Sequence, residues 1–197
     1  MKSFMLSCLL TIAIASSSSP SRAAAPATSP AADASPTHVL HDEKRTFTLS
    51  VPADWEQPPH PPADLAMAVM AVTPAAPAAA PGGPPQRGVL IVQVRPMGNV
   101  APADEPQVLA ETANSMKAAF AQRGGKDVKV SDDTLSSQPA KRVTATLAVK
   151  GADAAMTYVI TVKDKTMYVL NFNVPPALAE QYRQPFEATV KSFQLAQ

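Results

Sequence analysis

The chain has 197 residues with 17 basic and 16 acidic side chains, and this near-neutral balance gives no electropositive field of the kind a general nucleic-acid binder needs. Hydrophobic residues make up 46%, but 36 of them are alanines. Without alanine, roughly a quarter of the chain is large and apolar, enough for one modest core and too little for two. One cysteine and three histidines exclude a disulfide framework and any zinc site built from several cysteines.

The N-terminus reads as a secretory leader. Lys2 precedes the apolar stretch Phe4 to Ala15, and Ser16 to Ser19, Pro20 and Ala23 follow. About 12 apolar residues cannot cross a hydrocarbon core that needs roughly 20, so no transmembrane segment is expected in the mature chain. Ser21 and Ala23 place small side chains at the −3 and −1 positions, whereas cutting after Ala25 would put Pro26 at +1. The predicted signal peptide is therefore 1–23, and the mature protein is expected in the periplasm or outside the cell. Cys8, in Leu6-Ser7-Cys8, lies too early in the leader for a lipoprotein signal and reads as a small hydrophobe. Loss of Lys2 and Arg22 from the 17 basic side chains leaves 15 against 16 acidic ones.

From Ala24 to Thr37 the sequence AAPATSPAADASPT has too little apolar surface to offset its ordering entropy, and a disordered tether is expected over 24–37. A single domain over 38–197 should follow. In Thr46 to Val51, Phe47, Leu49 and Val51 alternate with polar residues, the period of a strand with one buried face. Leu65 to Val72 and Val89 to Val94 are apolar on both faces, which predicts central strands. Between them Pro74 to Gln86, PAAPAAAPGGPPQ, reads as a surface-loop insertion, because its prolines lack the amide donors of a central strand. Asp104 is the expected cap of a first helix, with Gln107 three residues on in a capping-box relation. Val108, Leu109, Thr112, Met116, Ala119 and Phe120 form its apolar stripe, and Gly124-Gly125 its stop. Lys141 to Val149, Met156 to Val162 and Thr166 to Val174 then read as strands of antiparallel hairpins, joined through Lys150 to Asp153 and Lys163 to Lys165. A second helix opens near Pro176, is interrupted or restarted at Pro185, and presents Phe186, Val190 and Phe193.

Three phrases carry a resemblance to a known family. Arg45 to Trp55, RTFTLSVPADW, is an alternating strand followed by a proline turn and a tryptophan. Leu135 to Arg142, LSSQPAKR, opens the strand meander. Tyr168 to Pro175, YVLNFNVP, is followed by Tyr182, Phe186, Val190, Lys191, Ser192 and Phe193. Over about residues 38 to 197 the chain resembles the PsbP-like and DcrB-like superfamily of exported bacterial and plastid proteins. The resemblance implies an α+β fold, an antiparallel sheet of six or seven strands flanked by helices in an α/β/α sandwich. It implies no shared catalytic residue, since members range from photosystem accessory subunits to periplasmic proteins. The insertion from Pro74 to Gln86 departs from the family's short connection.

No constellation for chemistry stands out. His38 and His41, followed by Asp42 and Glu43, are the densest set of potential metal ligands, but positions three apart on a strand point to opposite faces. His60 stands among prolines without a fixed acid, and no Gly-x-Ser-x-Gly turn supports a hydrolase. Asp132, Asp133 and Asp153 read as turn residues. Trp55 and Tyr182 read as core filling rather than a stacking platform. Met67, Met70, Met97, Met116, Met156 and Met167 occupy ordinary apolar positions, although thioethers also suit Cu(I). No catalytic, metal, cofactor-binding or ligand-binding residue is assigned, and no cofactor is expected. The leading reading is a non-enzymatic accessory or binding module of the bacterial cell envelope, its partner an envelope protein or a small ligand. The alternatives are an envelope hydrolase whose acidic residues converge only in three dimensions, and a structural subunit of an envelope assembly.

Overall fold

A computed structural model describes residues 37–44, 46–58, 67–78, 85–149 and 151–196. The leader with Cys8 and its cleavage site, the tether up to residue 36, and His60 lie outside the described residues. The alternation expected from Thr46 to Val51 becomes strand β2 (Phe47–Pro52), with Phe47, Leu49 and Val51 buried and Thr48 exposed. It pairs antiparallel with β1 (Thr37–His41) on one side and with the short terminal strand β9 (Gln194–Leu195) on the other. This small sheet lies over a larger one.

The larger sheet is wholly antiparallel and has six strands: β3 (Met67–Val72), β4 (Val89–Pro96), β5 (Lys126–Leu135), β6 (Gln138–Val149), β7 (Ala152–Lys163) and β8 (Thr166–Val174), in the order β3-β4-β8-β7-β6-β5. Two elements differ from the sequence reading. Strand β5 was not expected, because it is an edge strand whose Lys126, Asp127, Lys129 and Asp132 are exposed, Asp133 is half-buried, and only Leu135 is buried. Such charges are what keep an edge from pairing with another chain. Strand β3, predicted to be central from its apolar character on both faces, instead forms the opposite edge.

Tight turns join the meander. Ser136-Ser137 and Asp164-Lys165 each carry two positive φ values (51° and 60°, 50° and 59°), the two-residue geometry whose twist matches flanking strands. The insertion begins and ends in the ladder: Ala76 and Gln86 bridge each other, and Thr73 Oγ1 accepts the Gly88 amide at 2.8 Å. Gly88 has no room for a side chain, since a Cβ there would lie 2.9 Å from Thr73 and 3.1 Å from Phe172.

Helices α1 (Glu105–Gln122) and α2 (Ala179–Ser192) lie on opposite faces of the large sheet. Asp104 stands at the N-cap position of α1 but makes no side-chain cap: as the last residue of the 3-10 turn Pro102–Asp104 it is already helical (φ −92°, ψ −10°), not in the extended geometry from which a capping side chain reaches the first turn. Gln107 bonds Glu111 rather than closing a capping box. The C-terminal stop is as expected: Gly124 adopts φ +77° and Gly125 donates to the Phe120 carbonyl at 2.8 Å. In α2 the helix runs through Pro185 without interruption. One lost backbone hydrogen bond there is offset by burying Tyr182, Phe186 and Val190. Phe193 lies just past the helix in extended geometry, yet is 1% exposed.

The two faces have separate cores. On the first, α2 and the small sheet cover Leu90, Val92, Val159, Tyr168, Leu170 and Phe172. On the second, Leu109, Ala113 and Phe120 of α1 pack on Val143, Ala145, Leu147, Ile160, Val162 and Val169. The chain is thus an α+β sandwich with a six-stranded sheet at its centre.

Candidate functional site

The residues singled out in the sequence do not converge. His38 shares the half-buried side of β1 with Leu40, whereas His41 is exposed on the opposite side. Asp42 is buried and fully used: its carboxylate accepts the Thr46 amide at 2.6 Å, the Thr46 hydroxyl at 2.8 Å and the Phe47 amide at 3.3 Å. It closes the β1–β2 turn rather than offering a ligand. Trp55 stacks on Phe172 at 5.5 Å with Tyr182 edge-on at 6.2 Å, all three buried, as core filling requires.

Asp132 and Asp133 are not turn residues, since both lie within β5, and Asp153 lies at the start of β7. The polar register of β5 hid the strand. Asp132 pairs with Lys141 opposite it on β6, and Asp133 accepts Arg142 Nε at 2.7 Å. Arg142 also forks onto Glu187 of α2, with Nη2 donating to Oε2 at 2.9 Å. Burial by itself lowers the pKa of this guanidinium, but the hydrogen bonds and charges of Glu187 and Asp133 outweigh it and the net shift is upward. The cluster fastens the β5 edge to α2 and leaves neither aspartate as a free general base.

The methionines gather on one side. Met167 is buried in the second core, and Met97, Met116 and Met156 pack against it half-buried. Met70, on β3, lies on the same face of the sheet.

That second face is covered unevenly. Helix α1 packs on β5, β6 and β7. Over β3, β4 and the adjoining end of β8, no helix among the described residues lies across it. The register places two rows of side chains there. One row runs Val72, Val89, Asn173 and Met156 from β3 to β7, and the next runs Met70, Ile91, Asn171 and Tyr158. The four aliphatic and thioether groups on β3 and β4 are half-buried. Asn171 is buried at 9% exposure, and the side-chain oxygens of Asn171 and Asn173 are both buried without a hydrogen-bond partner among the described residues. Burial pushes the pKa of the Tyr158 hydroxyl up, while the Asn171 side chain and the charge of Arg123 pull it partly back.

The wall beside these rows follows from the connectivity. Strands β4 and β5 run parallel and α1 is the crossover between them. With the right-handed crossing that such units adopt, the flank of α1 bearing Val108, Thr112 and Met116 is turned toward β8 and β4. A depression of about 490 Å³ lies along that flank, lined by Val108, Glu111, Thr112, Ser115, Met116 and Ala119. None of Asn171, Asn173, Val89 or Ile91 was singled out from the sequence. The available signal was two asparagines, two residues apart, inside the otherwise apolar run Tyr168 to Val174.

No family model matches the chain, and the search of curated proteins found no match. Solved structures do. The cyanobacterial PsbP (CyanoP) of Synechocystis sp. PCC 6803 is similar with a TM-score of 0.51 and 11% identity, over 87% of this chain and 100% of that one. LpqN, described as involved in cell envelope biogenesis of Mycobacterium tuberculosis, gives 0.51 and 17% over 82% and 91% of the two chains. The Ran-binding protein Mog1p of Saccharomyces cerevisiae gives 0.50 and 12% over 82% and 96%. At these identities the likeness is one of fold, and the fold of this chain is the PsbP-like α+β sandwich.

Proposed function

We propose that this chain is an exported, non-enzymatic accessory or binding module of the cell envelope that engages its partner through the part of the sheet left uncovered by α1. The observation that carries the reading is the pair of side-chain rows on β3, β4 and β8, where aliphatic groups surround two buried amide oxygens without partners. Buried polar atoms without partners are few in native proteins and ask for an explanation, and a bound partner supplies one. The fold shared with LpqN, a protein of envelope biogenesis, and with a PsbP supports an accessory role over catalysis. No helix of the described residues is long and apolar enough to cross a membrane. The leader-like N-terminus supports export.

The test is capture from an envelope extract by the immobilised mature chain, with both proteins and small molecules identified. A bound species retained by wild type and lost in Val89→Arg is the expected result. Equal retention by both, or nothing retained, contradicts the reading. Intact-mass analysis of the envelope fraction should show a mature chain beginning at Ala24. An acylated Cys8 or an uncleaved leader would contradict export by this route.

A further inference from the structure

We infer that these two rows, over which no helix of the described residues lies, are a binding site for an extended peptide segment whose backbone is read by Asn171 and Asn173, an inference that rests on the binding-module reading above. The two asparagines lie two residues apart on β8, on the same side of the sheet. Residues two apart on a strand are separated by about 6.7 Å, and in an extended peptide the backbone amides that point to one side repeat at the same distance. Their unpaired oxygens are acceptors and call for N–H donors at that spacing. A peptide lying along β8 carries donors at that spacing, and reaches the buried oxygens once the half-buried side chains beside them turn aside.

Charge and shape narrow the class. The two rows contain no carboxylate, Glu111 on the α1 flank already accepts from Gln107, and Arg123 acts on Tyr158 at their edge, so a cationic group would find no free counter-charge in the rows. An anionic group would face two amide oxygens and is no better served. Backbone amides are neutral donors. Beside the asparagines, Ile91 and Met70 in one row and Val89 and Val72 in the other give apolar ground for side chains at alternate peptide positions. The α1 flank at Val108, Thr112 and Met116 bounds the opposite side. The predicted partner is therefore an uncharged, extended segment with aliphatic side chains at every second residue.

The experiment uses the mature chain, uniformly labelled for NMR, and a capped heptapeptide of alternating threonine and valine. The control is the same peptide with every backbone nitrogen methylated, which keeps the apolar surface and removes the donors. The parent peptide should shift the resonances of β3, β4 and β8 and the side-chain amides of Asn171 and Asn173, and bind about tenfold or more tightly than the methylated control. In the double variant Asn171→Leu/Asn173→Leu that preference should vanish while the chain remains folded. Equal binding of the two peptides to wild type, shifts confined to another surface, or no binding of either would overturn the inference. A neutral amphiphile such as 1-monolauroylglycerol shifting these rows when the peptide does not would overturn the peptide class and leave the binding-module reading standing. Retention of the captured envelope species by Val89→Arg would instead overturn that underlying reading.

Discussion

The two faces of the six-stranded sheet are built from different side chains. The first holds Phe47, Trp55, Tyr168, Phe172, Tyr182, Phe186 and Phe193, in stacked or edge-on pairs with ring centroids 4.9 to 6.5 Å apart. The second holds Met97, Met116, Met156 and Met167 with Phe120 and Tyr158 as its aromatics, and among the residues whose burial is described no methionine belongs to the first core. Aromatic pairs have preferred geometries and fix one arrangement, whereas thioether chains are flexible and fill whatever shape is offered. The first face is closed by α2 and a second sheet. The second is covered by α1 over three strands, and among the described residues no helix lies over the others. Stability is concentrated on one side, and the more adaptable side is the one proposed for recognition.

Substitutions can break this contrast or sharpen it. Phe193→Ala should have the largest effect, about 3–5 kcal/mol by chemical denaturation, because the ring is 1% exposed and stacks on Phe47 at 5.2 Å. A loss near zero would mean that the C-terminal segment is not part of the first core. Arg142→Ala should cost about 1–3 kcal/mol by the same measurement, since it leaves Asp133 and Glu187 without their shared partner and frees the β5 edge from α2. High salt should narrow the difference between that variant and wild type. Met116→Ala should cost only about 1–2 kcal/mol, below the usual range for a buried methionine because the side chain is half-buried on a flank of α1. A loss as large as that of Phe193→Ala would show the second face to be as tightly built as the first.

The sandwich was largely legible in the sequence, because its strands and helices are amphipathic and their punctuation is local. Phe47, Leu49 and Val51 declared a buried face, and Gly124-Gly125 declared a helix end. Strand β5 was not legible, because an edge strand needs few apolar residues and its charges imitate a loop. Asp132 and Asp133 were misplaced for the same reason. The candidate site was hidden by the opposite error. Apolar character on both faces of β3 implied that both would be covered, yet the side bearing Met70 and Val72 has no described helix across it. Pattern reports that a residue is apolar and not what lies against it. Asn171 and Asn173 became informative only once the register placed them beside Ile91 and Val89.

The central question is whether those two asparagines serve the fold or a partner. Denaturant unfolding of the mature Asn171→Leu/Asn173→Leu variant, beside wild type without any ligand, decides it most directly. Because the replaced amide oxygens are buried without partners, an aliphatic side chain of similar size should leave stability unchanged or raise it by about 1–2 kcal/mol. A loss of about 2 kcal/mol or more would show that the amides hold the sheet together, and would contradict the claim that this half of the second face is kept for binding.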